Sequence, residues 1–261
     1  AQSVYRLFDM GLGDEIMVSA LARRARRESQ SDRRVVVHDR LGRPRWSNVW
    51  LHNPDFVQPT ESEPRALVVT DGPGHRRYIK GKTALKWEWQ SWNAEPGRIM
   101  LSADEQALAA LQARRVIVEP HIKAKASPNK DWGWFQWTKF QRLASDAGIR
   151  LTQLGDHGRL LTGVDYIYTA TPRDAFAIIS TAKAVVTTEG ALHHAAAAFG
   201  TPSVVIFGGY ISPEITGYAG HANLYAGGEP CGMRYKCEHC SKAMADITPE
   251  LVFQKLMEIL K

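Results

Sequence analysis

Cysteine and long apolar runs are both scarce in this chain of 261 residues. Its three cysteines, Cys231, Cys237 and Cys240, fall within one short segment near the end, which excludes the disulfide framework of a small secreted domain and fits a reducing compartment. No stretch of about 18 uninterrupted apolar residues occurs, and the opening SVYRLFDM lacks the long apolar region of a signal peptide. The sequence therefore predicts a soluble, cytoplasmic protein.

Charge of one sign is not concentrated in any part of the chain. The net charge of +6 divides evenly: residues 1–110 contain 17 Lys and Arg against 14 Asp and Glu, and residues 111–261 contain 16 against 13, which is +3 in each part. An arm that binds nucleic acid would concentrate its cations. Nucleic acid is therefore a disfavoured partner, and acidic small molecules or phosphates are favoured.

Short β-branched runs alternate with helix-forming segments along the chain. The pattern predicts strands at 4–8, 35–38, 49–51, 66–70, 116–119, 149–154, 166–168, 184–188 and 203–207, helices at 16–29, 103–113, 134–147, 172–182, 191–199 and 249–260, and a loop-rich insert at 71–98. Parallel strands need helical crossovers. We therefore expect an α/β fold with two doubly wound, Rossmann-like domains, 1–112 and 113–261, which face a cleft.

The segment VVTTEGALHHAAAAFGTPSVVIF predicts a strand, a turn and an alanine-rich helix before the next strand. The first strand ends at Thr187 or Thr188, Glu189 and Gly190 form the turn, and the helix presents free backbone N–H groups at the carboxyl edge of the sheet. Phosphates bind at such edges, so we expect a phosphate site here. An ordinary crossover helix with a polar first turn produces the same pattern, and a histidine such as His193 often bonds only a backbone group.

Three other loops carry candidate site residues. In GLGDE, Gly11 and Gly13 form a turn and Asp14 begins a helix, where it is either an acid favoured by the helix dipole or a general base for an acceptor hydroxyl across the cleft. The NKDW segment offers Lys130 as a point charge for a diphosphate. In LGDHG, Asp156 either accepts from a ribose hydroxyl or makes a turn.

The C-x5-C-x2-C segment has the close spacing of metal sites. A tetrahedral site needs a fourth ligand beside Cys231, Cys237 and Cys240, and either His239 or His221 supplies one. A structural zinc or iron ion is one interpretation, and cysteines that pack beneath the last helix are the other.

Taken together, these motifs resemble glycosyltransferase family nine, the heptosyltransferases. The resemblance rests on GLGDE, NK-x-W, LG-D, EGALHHAAAAFGTPSVVIFG and CGMRYKCEHCSKAMADITPELV, and it is strongest over residues 115–257. It implies a GT-B fold and an inverting transfer that needs no catalytic metal. It also implies that domain 113–261 binds a nucleotide-diphosphate sugar, ADP-heptose-like, and that domain 1–112 binds a glycan or similar acceptor.

The resemblance also implies residue roles. Asp14 would be the base, Lys130 a ligand of the diphosphate, and Glu189, Gly190 and His193 the contacts of the sugar diphosphate. The chain is shorter than is usual for the family, and Glu189 stands where an aspartate is common.

Two other classes of function remain open because the sequence has no DxD-type metal motif to decide between them. A DNA-modifying glycosyltransferase that acts on hydroxylated bases would use the basic tract 76–86 on phosphates, with a steep dependence on salt. A non-catalytic sugar-nucleotide binding protein would bind the donor and never release nucleotide when an acceptor is added. The segment HRRYIKGK at 75–82 is equally consistent with a contact to a phosphorylated glycan or with a solvated loop.

Overall fold

The computed structural model describes residues 11–72, 76–123, 128–155 and 158–261. The strand expected at 4–8 lies outside these residues. The first half contains helix α1 (Leu12–Glu28), strands β1 (Val35–His38), β2 (Pro44–Arg45), β3 (Leu67–Thr70), β4 (Ile79–Lys82) and β5 (Trp87–Trp89), and helix α2 (Ala103–Leu111).

The second half alternates strands and helices more regularly. Its elements are β6 (Val116–Glu119), α3 (Trp134–Asp146), β7 (Leu151–Gly155), β8 (Asp165–Tyr168), α4 (Pro172–Ser180), β9 (Ala184–Thr188), α5 (Ala191–Phe199), β10 (Ser203–Gly208), α6 (Pro213–Thr216), β11 (His221–Tyr225), α7 (Glu238–Asp246) and α8 (Pro249–Leu260). Among the described helices, none is both long enough and apolar enough to cross a membrane.

The second half forms a six-stranded sheet with the order β11-β10-β9-β6-β7-β8, and all of its neighbouring strands are parallel. The chain begins in the middle of this sheet with β6, adds β7 and β8 on one side, and then crosses to add β9, β10 and β11 on the other. The order reverses between β6 and β9, and ligands of open α/β sheets bind outside the carboxyl ends of the strands at this point. The apolar runs of β6, β9 and β10 are buried because helices cover both faces of the sheet.

The two halves share a hydrophobic core. Helix α1 packs against α5, α2 packs against α4, and one buried cluster contains side chains of α1, β1, α4 and α5. The contact between α1 and α5 depends on Gly13, because a Cβ atom there would lie 2.5 Å from Cδ2 of His194. This packing brings the amino end of α1 beside the amino end of α5. The division into domains at residue 112 remains a prediction.

Two expectations for the first half were wrong: a strand at 49–51 and strands that are all parallel. Residues 49–51 are not a strand: Asn48–Trp50 form a 3-10 helix, which begins where the Ser47 side chain accepts from the Val49 N–H. The described strands of this half are not all parallel either, since β1 pairs parallel with β3 and antiparallel with β2. The insert at 71–98 contains one antiparallel hairpin, β4 and β5, and the rest of its described residues form neither helix nor strand, as a loop-rich segment should.

Candidate functional site

A cavity of about 810 Å³ lies where the carboxyl ends of β6, β7 and β9 meet the first half of the chain. The second half contributes strand ends, the start of α5 and Lys130 to its wall. The first half contributes the start of α1 and aromatic side chains of the β4–β5 hairpin. The cavity is therefore located at the reversal of strand order, and both halves close it.

Asp14 lies in the first turn of α1 and lines this cavity. Its Oδ1 accepts a hydrogen bond of 2.5 Å from the hydroxyl of Tyr78, and its Oδ2 lies 3.0 Å from Nε of Arg76 in an ion pair. Burial and the neighbouring carboxylate raise the pKa of Tyr78 well above its ordinary value, so this phenol stays protonated and donates. A carboxylate has about four acceptor sites, and two of them remain for a further hydroxyl.

The amino end of α5 faces the same cavity from the other half. Gly190 is its N-cap residue, and Thr188, Glu189, Gly190, Ala191 and Leu192 all contribute to the cavity wall. Within the described part of the chain, the N–H groups of Ala191 and Leu192 have no acceptor. Unpaired amides at a helix start attract anions.

The N–H of Gly190, by contrast, is already bonded inside the protein. Nε2 of His193 lies 2.9 Å from the carbonyl oxygen of Thr216, which only accepts, so this nitrogen carries the proton and Nδ1 accepts from the Gly190 N–H at 3.1 Å. Burial and the neighbouring His194 lower the pKa of His193 well below its ordinary value. His193 is fully buried and absent from the cavity wall, whereas His194 lines it.

Lys130 and Glu189 form an ion pair in the cavity wall. Oε1 of Glu189 also accepts from the Thr216 hydroxyl at 3.3 Å and lies 3.6 Å from Nε2 of His194. Burial acts to raise the pKa of Glu189, but the charge of Lys130 and the contact with His194 outweigh it and hold this pKa well below its usual range. Glu189 is therefore ionised at neutral pH, and Lys130 balances it.

The structure places Gly11, Gly13, Asp14, Thr188 and Gly190 around one cavity with Lys130 and Glu189. Asp156 lies outside the described residues. The binding and catalytic roles of this set remain predictions.

The three cysteines and His239 form a second cluster, and their ligand atoms lie within 4.8 Å of one another. Two sulfurs that each lie 2.3 Å from one tetrahedral ion are about 3.8 Å apart. Sγ of Cys231 is at this distance, 3.8 Å, from Sγ of Cys237. It lies closer, at 3.0 Å, to Sγ of Cys240. The hydrogen bond with Cys240 lowers the pKa of Cys231 to about 5, which favours a thiolate.

His239, and not His221, is the histidine at this cluster. Its Nε2 lies 2.7 Å from the carbonyl oxygen of Gly227 and so carries the proton, which leaves the lone pair of Nδ1 on the side of Cys240, 3.8 Å from Sγ. Metal-binding histidines commonly donate their second ring nitrogen in this way. The ring of His221 instead lies near His193, with centroids 6.1 Å apart. The four side chains fit a metal ion.

Asn129 has a role that sequence reasoning missed. Its side-chain amide donates to the carbonyl oxygens of Met233 and Tyr235, both at 2.7 Å, and its Oδ1 accepts from the Cys237 N–H at 3.0 Å. It therefore holds the loop that carries the first two cysteines. The only hint in the sequence is its place beside Lys130.

Comparison with known proteins gives structural matches only: no protein-family model and no curated protein matches the chain. The iron-containing dodecameric glycosyltransferase TibC from enterotoxigenic E. coli H10407 aligns over 96% of this chain and 74% of its own, with a TM-score of 0.65 and 13% identity. A family 9 glycosyl transferase from Veillonella parvula DSM 2008 aligns over 96% and 95%, with a TM-score of 0.61 and 11% identity.

A second structure of TibC, in complex with ADP-D-β-D-heptose, aligns with a TM-score of 0.51 and 15% identity over 64% of this chain and 49% of that chain. This chain thus spans about half the length of that structure. The fold is GT-B. The GT-B fold expected from the sequence is therefore confirmed, and in it the cavity between the two halves is the candidate active site.

Proposed function

We propose that this chain is an inverting glycosyltransferase that moves a sugar from a nucleotide diphosphate to an acceptor hydroxyl. The observation that supports it is one cavity with two complementary walls. A carboxylate, Asp14, lines one wall, and unpaired amides of Ala191 and Leu192 line the other beside Lys130. An acid opposite an anion site is the arrangement that the reaction requires.

Binding of the sugar donor depends on the amino end of α5. The amides of Ala191 and Leu192 and the ammonium of Lys130 would stabilise the negative charge that develops on the departing nucleoside diphosphate. Because Glu189 already orients Lys130, these dipoles and charges need little rearrangement during the reaction. The fold neighbour TibC binds ADP-D-β-D-heptose, which supports an ADP-sugar as the first donor to test.

Activation of the acceptor hydroxyl depends on Asp14. In the reaction, the acceptor oxygen forms a bond to the anomeric carbon while the bond from that carbon to the phosphate oxygen breaks. The acceptor proton passes to Asp14, and the nucleoside diphosphate leaves with the electron pair. A single displacement of this kind inverts the anomeric centre. Tyr78 and Arg76 hold the Asp14 side chain in place through a hydrogen bond and an ion pair.

We further propose that a structural zinc or iron ion binds Cys231, Cys237, His239 and Cys240. The donor set, three thiols and one imidazole, fits either metal. The fold neighbour TibC is iron-containing, which favours iron as the first metal to test. Among the described residues, none of the four ligands lines the cavity, so the ion, when bound, would supply a cross-link of the chain rather than a group in the cleft.

A thermal-shift panel of nucleotide-diphosphate sugars tests the donor site, since a ligand that binds only the native state raises Tm. We expect an ADP-sugar to raise Tm, and the free sugar to leave it unchanged. Release of the nucleoside diphosphate on addition of a hydroxyl acceptor then tests catalysis. Absence of any Tm shift would refute the donor site, and a shift without release would favour a binding protein.

A further inference from the structure

The β4–β5 hairpin of the first half has a third strand that comes from the cysteine loop of the second half. Lys86 and Met233 pair as an antiparallel bridge, and two backbone hydrogen bonds of 2.9 Å flank it, from the Trp87 N–H to the Gly232 carbonyl and from the Arg234 N–H to the Leu85 carbonyl. The hairpin and the cysteine loop approach each other closely because Gly232 has no side chain.

The cysteine loop, residues 231–237, is itself held from the other side. The N–H groups of Cys231 and Gly232 donate to the carbonyl oxygens of Gly209 and Tyr210, at 3.0 and 3.1 Å, just after β10. Asn129 bonds the backbone at Met233, Tyr235 and Cys237, as described above. The loop therefore joins the six-stranded sheet, the four-ligand cluster and the hairpin.

The hairpin continues this connection to Asp14. Nε1 of Trp89 donates to the carbonyl oxygen of Tyr210 at 2.9 Å, and its ring stacks on Tyr78 with centroids 6.0 Å apart. The Tyr78 hydroxyl then donates to Asp14. One backbone hydrogen bond of 3.1 Å, from the Gln90 N–H to the Tyr78 carbonyl oxygen, keeps Tyr78 attached to the hairpin. Each step is a direct contact.

We propose that a metal ion at the four-ligand cluster fixes the cysteine loop as the third strand of the hairpin, and that this docking positions Tyr78 on Asp14. Tyr78 is then a positioning residue, and the ion acts on the cleft through the fold of the chain. The effect on transfer rests on the proposed function of Asp14, but the docking itself does not.

Gly232→Ala separates docking from metal binding, because it retains all four ligands. Gly232 has a φ of +62°, and an added Cβ would lie 2.1 Å from the Trp87 carbonyl oxygen. Gly228→Ala is the matched control, since Gly228 has a φ of +56° and an added Cβ would meet nothing within 4 Å. Both variants carry the same left-handed backbone strain, and they differ in the clash.

Amide hydrogen exchange is the primary measurement. We expect Gly232→Ala to bind one metal ion per chain, as the control does, and to exchange the amides of 79–89 at least tenfold faster than the control. We also expect its kcat to fall while the donor Kd is unchanged. Equal exchange of 79–89 in the two variants would overturn the docking.

If Gly232→Ala does not fold, removal of the ion from the wild-type protein tests whether the metal fixes the docking. The protein is loaded with Zn²⁺ or Fe²⁺, stripped with a chelator and reloaded. Faster exchange of 79–89 after stripping, reversed on reloading, is expected. Protection that survives stripping, or failure to bind either ion, would overturn the role of the metal. Because exchange is read without any sugar, a chain that transfers none would disprove the proposed function and leave this result standing.

Discussion

The ammonium of Lys130 contacts the buried carboxylate of Glu189, so the cation offered to a diphosphate is already paired in the protein. Lys130→Met would leave the Glu189 charge without this partner. We expect it to lose about 3–5 kcal/mol of unfolding free energy, the usual cost of breaking a buried pair from one side, and to bind ADP about tenfold or more weakly.

Lys130→Met/Glu189→Gln is the control for this prediction, because it removes the uncompensated charge. It should recover most of the lost stability and still bind ADP weakly. Denaturant unfolding and titration calorimetry measure the two effects. If the double variant binds ADP as well as the wild type, Lys130 does not contact the diphosphate.

Asp14→Asn should abolish transfer and leave nucleotide binding intact, because the amide cannot take the acceptor proton and lies on the other wall of the cavity from α5. Turnover and donor Kd, measured in parallel, separate the two. Turnover within a factor of two of the wild type would show that Asp14 is not the base.

Tyr78→Phe keeps the ring on Trp89 and removes only the hydroxyl that bonds Asp14. A hydrogen bond to a charged group contributes about 1.5–3 kcal/mol, so we expect kcat to fall about tenfold or more at an unchanged donor Kd. An unchanged kcat would contradict a positioning role for Tyr78.

His239→Ala should lower metal affinity by at least tenfold, whereas His221→Ala should not, because only His239 lies at the cysteine cluster. The measurement is metal content after dialysis against a weak chelator. Equal loss in both variants would argue that His239 is not a ligand.

Asp71 predicts a pH dependence of stability. Burial, with a smaller effect of the Asp14 charge, raises the pKa of Asp71 from 3.8 to about 8. Because the folded pKa is the higher one, the stabilisation from protonated Asp71 is complete below about pH 4 and is lost as pH rises towards 8. Asp71→Asn should therefore match the wild type near pH 4 and exceed it increasingly towards pH 8.

The slope of this difference is at most about 1.4 kcal/mol per pH unit. Urea unfolding at several pH values measures it, with the exposed Asp146→Asn as a control. A constant difference between wild type and Asp71→Asn across this range would show that Asp71 titrates normally.

Local patterns predicted the second half of the fold well. The alternation of β-branched runs with helix-forming segments indicated a parallel sheet, because parallel strands need helical crossovers. Gly200 ends α5 in a left-handed conformation, with a φ of +70°, and Thr248 caps α8. Each of these features depends on residues a few positions apart.

The β4–β5 hairpin was not predictable in the same way. Its strands IKGK and WEW do alternate between half-buried and exposed side chains, but at four and three residues they are too short for alternation to identify them, and contacts with the distant cysteine loop set their half-buried side. The 3-10 helix at Asn48–Trp50 was missed for a similar reason: Nε1 of Trp50 donates to the Glu15 carbonyl at 2.7 Å, a contact that only the packed structure provides.

The sequence by itself determined which residue types stand at the strand ends and helix starts, because secondary structure follows from spacing and turn chemistry. Only the tertiary structure decided how they combine: that Lys130 pairs with Glu189, that His193 turns inward while His194 reaches the cavity, and that a cysteine loop docks on a distant hairpin. These choices depend on how α1 packs against α5 and where the sheet reverses its order. No local pattern contains that information, since the contacting groups lie far apart along the chain and meet only when the two halves share one core.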